Sequence, residues 1–273
     1  MGGMTWIPRD RPLVFAHRGG CRLAPENTIA AFDRAVAEGV DGLELDVRLS
    51  RDGEVMVCHD TRLDRTCDGT GAIGDLMASE LARVDAGYRF TPGDGSHPFR
   101  ARGFAVPTLR EVLARFPKHP FIVEMKDDSL AMARATVDVI REAGALGRVC
   151  LGAFSIAVLR HARRLAPRTA SSGSRDEVFR AILTAHVGWL PPFRRYKALQ
   201  VPERRANIRV VTPRFVRAAH RSGVPVQVWI VDRAEDIHRL LEWGVDAVIT
   251  DRPDVAVKTV ATWCHERDNH RDH

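Results

Sequence analysis

Short apolar runs rich in β-branched residues recur along the chain, and most are followed by a stretch whose apolar positions repeat at helical spacing. The runs are Leu13–Ala16, Gly42–Asp46, Phe121–Met125, Val149–Ala153, Thr169–Ser172, Ala198–Val201, Val226–Val231 and Ala247–Thr250. Between them, Ile29, Phe32 and Val36, then Val158, Leu159 and Ala162, then Ile237, Leu240 and Leu241 mark the buried faces of helices. Eight strands alternating with covering helices predict the α/β class and a closed (β/α)8 barrel. A ninth run, Glu54–Cys58, follows the second strand after only Ser50, Arg51, Asp52 and Gly53, whereas a parallel crossover needs a dozen residues or more. It must return antiparallel, and Asp52-Gly53 is a favoured hairpin turn. That fold-back sets His59 about level with Asp46.

The stretch from Thr61 to Ala105, which holds Gly93, Gly95 and Pro98, breaks the barrel rhythm and reads as a small lobe inserted over the mouth. Pro107 then opens the next helix. A chain of 273 residues, 45% hydrophobic, suits a single barrel domain with its core at about 13–255 and a polar tail, 265–273, expected to fray. Five cysteines without a CxxC pair read as reduced thiols, and Met1–Pro12 lacks the apolar core of a secretory signal. A cytoplasmic protein is expected.

In such a barrel the C-terminal ends of the strands build the active site. The first strand runs into His17-Arg18-Gly19-Gly20, offering a proton-exchanging group and a guanidinium suited to phosphate. Glu44 and Asp46 stand two residues apart on one strand and so share a face, pointing inward. The next barrel strand ends Glu124-Met125-Lys126 and again presents an acid and a base from one face. Three carboxylates meeting at one mouth repel unless a cation joins them. An all-oxygen donor set suits Mg²⁺ or Ca²⁺ over Zn²⁺, with Mn²⁺ also compatible. The bland reading of the same residues is buried ion pairing with Arg18 and Lys126. His59-Asp60 brings a second histidine over the mouth, and together these are the parts of a phosphoryl-transfer site.

The ordered series His17-Arg18-Gly19, Pro25-Glu26-Asn27-Thr28, Glu44-Leu45-Asp46-Val47, Asp52-Gly53, His59-Asp60, Glu124-Met125-Lys126 and Gly244 through Pro253 resembles the glycerophosphodiester phosphodiesterase family. The resemblance implies a TIM barrel of the phospholipase-C-like phosphodiesterase type and one divalent cation. It also implies hydrolysis of glycerophosphodiesters to glycerol 3-phosphate and an alcohol. It assigns acid/base roles to His17 and His59, metal ligation to Glu44, Asp46 and Glu124, and phosphate contacts to Arg18 and Lys126. Trp229 falls where the family's Val-Trp-Thr-Val strand carries its tryptophan, with Ile230 in place of the common threonine.

Other motifs read more plainly. Gly69-Thr70-Gly71 is a turn in the lobe, Cys58 alternates away from the site into core, and Pro25-Glu26-Asn27-Thr28 starts a helix while leaving Glu26 at the mouth. The runner-up activity is a lysophospholipase D-like phosphodiesterase acting on lysolipids. The alternatives of another class are a non-catalytic phosphodiester-binding barrel and a nucleic-acid-binding protein. Retention of both histidines and all three carboxylates opposes the first. The second lacks any recognition-helix or RNP-like motif, so no nucleic-acid partner is expected. The net charge of +6 favours small anionic partners. Between Gly188 and Arg221, nine basic residues (Arg194, Arg195, Lys197, Arg204, Arg205, Arg209, Arg214, Arg217 and Arg221) stand against the single acid Glu203. The aromatic and arginine mixture at Trp189–Tyr196 adds an expectation of weak peripheral contact with anionic membrane. The alternative is an ordinary solvated face with Trp189 and Phe193 packed beneath the loop.

Overall fold

The computed structural model describes residues 11–271 apart from 186, 192, 193 and 207. Among the described residues eleven strands are formed: β1 Leu13–Ala16, β2 Gly42–Leu49, β3 Val55–Val57, β4 Phe121–Met125, β5 Val149–Gly152, β6 Ala170–Ser171, β7 Leu199–Pro202, β8 Arg204–Arg205, β9 Ile208–Arg209, β10 Val226–Trp229 and β11 Ala247–Thr250. The α-helices of the described residues are α1 Ile29–Glu38, α2 Ala78–Leu81, α3 Leu109–Arg115, α4 Leu130–Glu142, α5 Ile156–Leu165, α6 Arg175–Ala185, α7 Pro213–Arg221, α8 Ala234–Glu242 and α9 Pro253–Arg271.

The order β6-β5-β4-β2-β1-β11-β10-β7 is parallel throughout. Its two ends meet. Ser172 bridges Ala198 in parallel, Lys197 N–H donates to Ser171 O at 2.8 Å, and Gly173 N–H donates to Ala198 O at 3.1 Å. The result is a closed (β/α)8 barrel. Strand β3 returns antiparallel along β2 through Asp52-Gly53, with Val57 opposite Val47 and Cys58 N–H donating to Asp46 O at 3.0 Å.

Alternation along each strand divides the core in two. Val14, Leu43, Leu45 and Val123 face outward into the main cluster beneath the helices. Leu13, Phe15, Ile122, Cys150, Ala170, Ala247 and Ile249 fill the barrel itself, with Trp229 packed on top. Gly42 is required there: a Cβ at that position would lie 2.3 Å from the Phe15 ring. Packed residues close the lower barrel, so the polar residues one turn of the pleat higher form its upper layer. Helix starts follow their sequence signals. Thr28, Thr108, Ser129 and Thr212 each accept a backbone N–H as the N-cap of α1, α3, α4 and α7, a contact worth about 1 kcal/mol.

The lobe has its own small core of Leu63, Cys67, Ile73, Leu81 and Ala86, packed on Met56 and Cys58 of the hairpin. Cys58 therefore faces the lobe, as its alternation predicts, and Gly71 sits in a turn where its carbonyl accepts from Leu63 N–H.

Three expectations change. Helix α9 runs through the segment expected to fray as far as Arg271, and residues 272–273 of that tail lie outside the described residues. Trp263 anchors that helix through Nε1–H to Glu242, and Arg267 stacks 4.7 Å from its ring centroid. Arg204–Arg205 and Ile208–Arg209 pair antiparallel as β8 and β9, which no apolar run foretells. Finally, the basic segment is not one patch. Arg194, Arg195 and Lys197 precede β7 while Arg204, Arg205 and Arg209 follow it, so the two groups lie at opposite ends of the barrel.

Candidate active site

Strands β1, β2 and β4 carry the candidate chemistry to one mouth. At the end of β1 the chain turns sharply through His17-Arg18-Gly19-Gly20. Gly19 takes φ +84°, and a Cβ there would lie 2.6 Å from Ala31 Cβ, so only glycine permits this turn to press on α1. The turn aims the Arg18 backbone N–H at Glu44 Oε2, 3.0 Å away, and leaves His17 Nε2 3.9 Å from the same oxygen.

Glu44, Asp46 and Glu124 present carboxylate oxygens that all lie within 4.8 Å of one another. Asp46 is the hub. Lys126 Nζ lies 3.0 Å from both Asp46 Oδ1 and Glu124 Oε2, Arg18 Nε is 3.0 Å from Asp46 Oδ2, and Asn27 Nδ2 donates to that oxygen at 3.0 Å. Arg18 and Lys126, which the sequence suggests as phosphate contacts, here neutralise carboxylates as well.

Burial and the neighbouring charge of Asp46 push the Glu44 carboxyl up to about 8. Burial also raises Glu124, only partly offset by Lys126. For Asp46, burial is outweighed by Lys126 and Arg18, and its pKa falls below the ordinary range. Burial and mutual repulsion thus oppose ionisation of Glu44 and Glu124, and Arg18 and Lys126 offset this load only in part. An oxygen-only cluster under this electrostatic load fits a hard divalent cation.

Each histidine is held by a carboxylate at Nδ1. His17 Nδ1 is 2.6 Å from Asp251 Oδ1, and His59 Nδ1 is 2.6 Å from Asp60 Oδ1. With Nδ1–H donating to the acid, Nε2 is the nitrogen free to exchange a proton in both cases. Burial disfavours the His17 imidazolium, yet Glu44 and Asp251 outweigh it and raise its pKa. Asp251 is itself oriented, its backbone N–H donating to Asp232 Oδ1 at 2.8 Å. The Cys21 thiol also hydrogen-bonds Asp251, and burial with the neighbouring Asp251 charge holds that thiol well above its usual range, so it stands here as a protonated donor to the carboxylate.

The lobe contributes Arg65. Its guanidinium donates to both Glu26 oxygens at 2.7 Å and to Asp60, while Arg18 Nη1 donates to Glu26 Oε1 at 2.9 Å. A continuous chain of charge-assisted hydrogen bonds and ion pairs thus runs from His59 through Asp60, Arg65, Glu26 and Arg18 to Asp46.

All eight residues singled out from sequence stand at this end of the barrel: His17, Arg18, Glu44, Asp46, His59, Glu124, Lys126 and Trp229. Sequence patterning gives no site role to Asn27, Asp60, Arg65 or Asp251. Asn27 reads there only as part of a helix start, although its φ of +58° turns the side chain back to Asp46.

Known proteins resemble the chain over most of its length. The chain is 32% identical to the glycerophosphodiester phosphodiesterase of Caldanaerobacter subterraneus subsp. tengcongensis over 92% of its own length and 98% of the relative's. It is 31% identical to that of Bacillus subtilis, covering 90% and 85% of the two chains. The crystal structure of the Agrobacterium tumefaciens glycerophosphodiester phosphodiesterase superposes with a TM-score of 0.75 at 27% identity, covering 90% of this chain and 99% of that one. Residues 17–255 match the glycerophosphoryl diester phosphodiesterase family, and the chain belongs to it.

Proposed function

We propose that the protein hydrolyses glycerophosphodiesters to glycerol 3-phosphate and an alcohol, using His17 and His59 as the acid/base pair and a divalent cation held by Glu44, Asp46 and Glu124. The observation that carries this reading is the meeting of two carboxylate-oriented histidines with a three-carboxylate cluster at one mouth. The bound cation would supply counter-charge to the phosphoryl oxygens, a role for which Mg²⁺, Ca²⁺ and Mn²⁺ are all suited. One histidine takes the proton of the attacking water at Nε2, and the other gives its Nε2 proton to the departing alkoxide. Arg18 and Lys126 stand where they can shift from carboxylate to phosphate oxygens as the substrate enters. Trp229, half-buried on the inner core, forms an apolar wall for the organic part of the substrate.

The test is direct. Purified protein supplied in turn with Mg²⁺, Mn²⁺ and Ca²⁺ is assayed on glycerophosphocholine, glycerophosphoethanolamine and glycerophosphoglycerol. Release of glycerol 3-phosphate supports the reading, and no turnover of any of them with any of the metals overturns it.

A second reading has support of its own. Leu130, Phe154 and Ile230, on segments that follow β4, β5 and β10, are exposed at the mouth end, Phe154 by 58%. An apolar rim there suits a lysolipid, whose acyl chain needs cover, and activity on lysophosphatidylcholine above that on glycerophosphocholine would favour it. Reaction in ¹⁸O water separates direct hydrolysis, which places the label on the phosphate in the first step, from a route that begins with attack by a substrate hydroxyl and passes through a cyclic phosphate.

Weak peripheral contact with anionic membrane belongs to the same proposal. Trp189 is 60% exposed rather than packed beneath its loop, while Phe193 lies outside the described residues. Arg194 donates to Pro191 O and Ser222 O and so ties the loop down, leaving Arg195 to face lipid. Failure to sediment with anionic liposomes at low ionic strength would remove this part. No helix among the described residues is long and apolar enough to cross a membrane. Five unpaired thiols suit a reducing compartment such as the cytoplasm.

A further inference from the structure

On the outer wall of the barrel, behind β6, a cavity of about 740 Å³ opens between α5, α6 and the loop that leads to β7. It shares no residue with the mouth. Its wall is built by two arginines whose bonds are structural. Arg163 donates to both Glu177 oxygens at 2.8 and 2.9 Å, to Ser171 Oγ at 2.8 Å and to Ser172 O at 2.8 Å. Arg194 is fixed to Pro191 and Ser222 as described above.

Four further arginines, Arg160, Arg164, Arg180 and Arg195, line the same cavity. None of them makes an ion pair with a described residue; among the described residues the one hydrogen-bond contact of the four guanidinium groups is from Arg164 to His161 Nδ1 at 3.2 Å. The lining acid left over once Glu177 has paired with Arg163 is Asp176. Like charges converging on a concave surface raise the local potential and concentrate anions. A second observation is independent of charge: Tyr196, also in the wall, is only 3% exposed, and its hydroxyl is buried with no hydrogen-bond partner among the described residues. An orphaned hydroxyl of that kind is destabilising unless something accepts from it or donates to it.

From the arginine excess, the concave volume and the unpartnered phenol, we infer that this cavity binds a phosphate-bearing anion of at least two negative charges. The volume lies within the range of small-molecule pockets, so the phosphate can carry an organic group. Arginine's forked donors match phosphate oxygens two at a time, and the Tyr196 hydroxyl supplies a neutral donor after a small shift of the loop. The inference goes beyond the hydrolytic reading and does not depend on it.

The same chemistry comes from two sources, a soluble phosphate compound or a lipid headgroup, and two arms of one experiment separate them. In the first, inorganic pyrophosphate is titrated calorimetrically into metal-stripped full-length protein at low ionic strength. In the second, sedimentation is measured with vesicles of phosphatidylglycerol and phosphatidylcholine. Each is repeated with Arg160→Glu/Arg180→Glu and with Tyr196→Phe. The charge-reversed protein should bind at least about 10-fold more weakly in one arm, and Tyr196→Phe should weaken binding a few-fold. Both variants should keep wild-type circular dichroism and wild-type turnover at the mouth, which excludes misfolding as the cause. Loss confined to the pyrophosphate arm assigns a soluble ligand, and loss confined to the vesicle arm assigns a headgroup. No binding in either arm, or equal binding by wild type and the charge-reversed protein, overturns the inference.

Discussion

Arg65 offers the sharpest test of how the lobe serves the mouth. Arg65→Ala removes three charge-assisted hydrogen bonds, two to Glu26 and one to Asp60. Such bonds are worth about 1.5–3 kcal/mol each when shielded, and well under 1 kcal/mol when fully wet. The Arg65 side chain is 50% exposed, so the sum is discounted to about 1–2 kcal/mol. Part of it depends on pH with a definite sign. Burial acts to raise the Asp60 carboxyl, but Arg65 and His59 outweigh it and hold the group at about 2. Glu26 is likewise held below its ordinary value, burial being outweighed by Arg65 and Arg18. A carboxyl depressed in the folded state stabilises the protein above its unfolded pKa, and that contribution fades as pH falls toward the folded one. The stability gap between wild type and Arg65→Ala, measured by urea unfolding, should therefore be widest near pH 7. It should narrow on acidification below about pH 4. With Asp60 released, His59 loses its anchor, and kcat should fall about 10- to 100-fold with a smaller change in KM. Arg65→Lys, which keeps the charge but not the fork, should fall between the two proteins. A gap that stays constant from pH 7 to pH 3, together with unchanged kcat, would refute the linkage.

The remaining expectations concern the mouth itself. His17→Ala and His59→Ala should each lower the rate by about 10²- to 10⁴-fold with the fold intact, and a p-nitrophenyl leaving group should rescue loss of the acid far more than loss of the base. Equal losses on both substrates for both variants would contradict a division of roles. Glu44→Gln should weaken divalent-ion affinity and cut turnover steeply; full activity after exhaustive dialysis against EDTA would sink the metal assignment. Asp251→Asn, which frees the His17 ring to take the wrong tautomer, should cost about 10²-fold or more in kcat at nearly unchanged melting temperature, and wild-type kcat would show that Asp251 does not orient His17.

The barrel is legible because its signals are local. Each strand is an apolar run, and the β2–β3 hairpin follows from chain length alone, since four residues cannot make a parallel crossover. The β8–β9 pair escapes such a reading because its four paired residues are three arginines and one exposed isoleucine, held without any apolar face. At the mouth, Glu44, Asp46 and Glu124 can be read from strand alternation. Asp251 and Arg65 cannot: one reaches His17 across 234 residues of sequence, the other reaches Glu26 across 39 from inside the lobe. Contacts of that kind arise from closure of the barrel and docking of the lobe, which leave no periodic trace. A histidine at the end of one strand and an acid just past the last, in neighbouring parallel positions, is the one signal available for Asp251.

The seam between β6 and β7 has a consequence for how the molecule breathes. Strand β6 is two residues long, and it meets β7 through one isolated bridge and its flanking bonds, whereas β2 and β4 share a five-residue register. Local opening starts where few backbone bonds must break together, so amide hydrogens around Ser171, Ser172 and Ala198 should exchange with deuterium well before those of β2 and β4. In the ring of eight strands this seam stands across from β1 and β2, which carry His17, Glu44 and Asp46. The barrel can thus loosen on one side, next to the arginine-lined cavity, while the opposite side keeps His17, Glu44 and Asp46 in register.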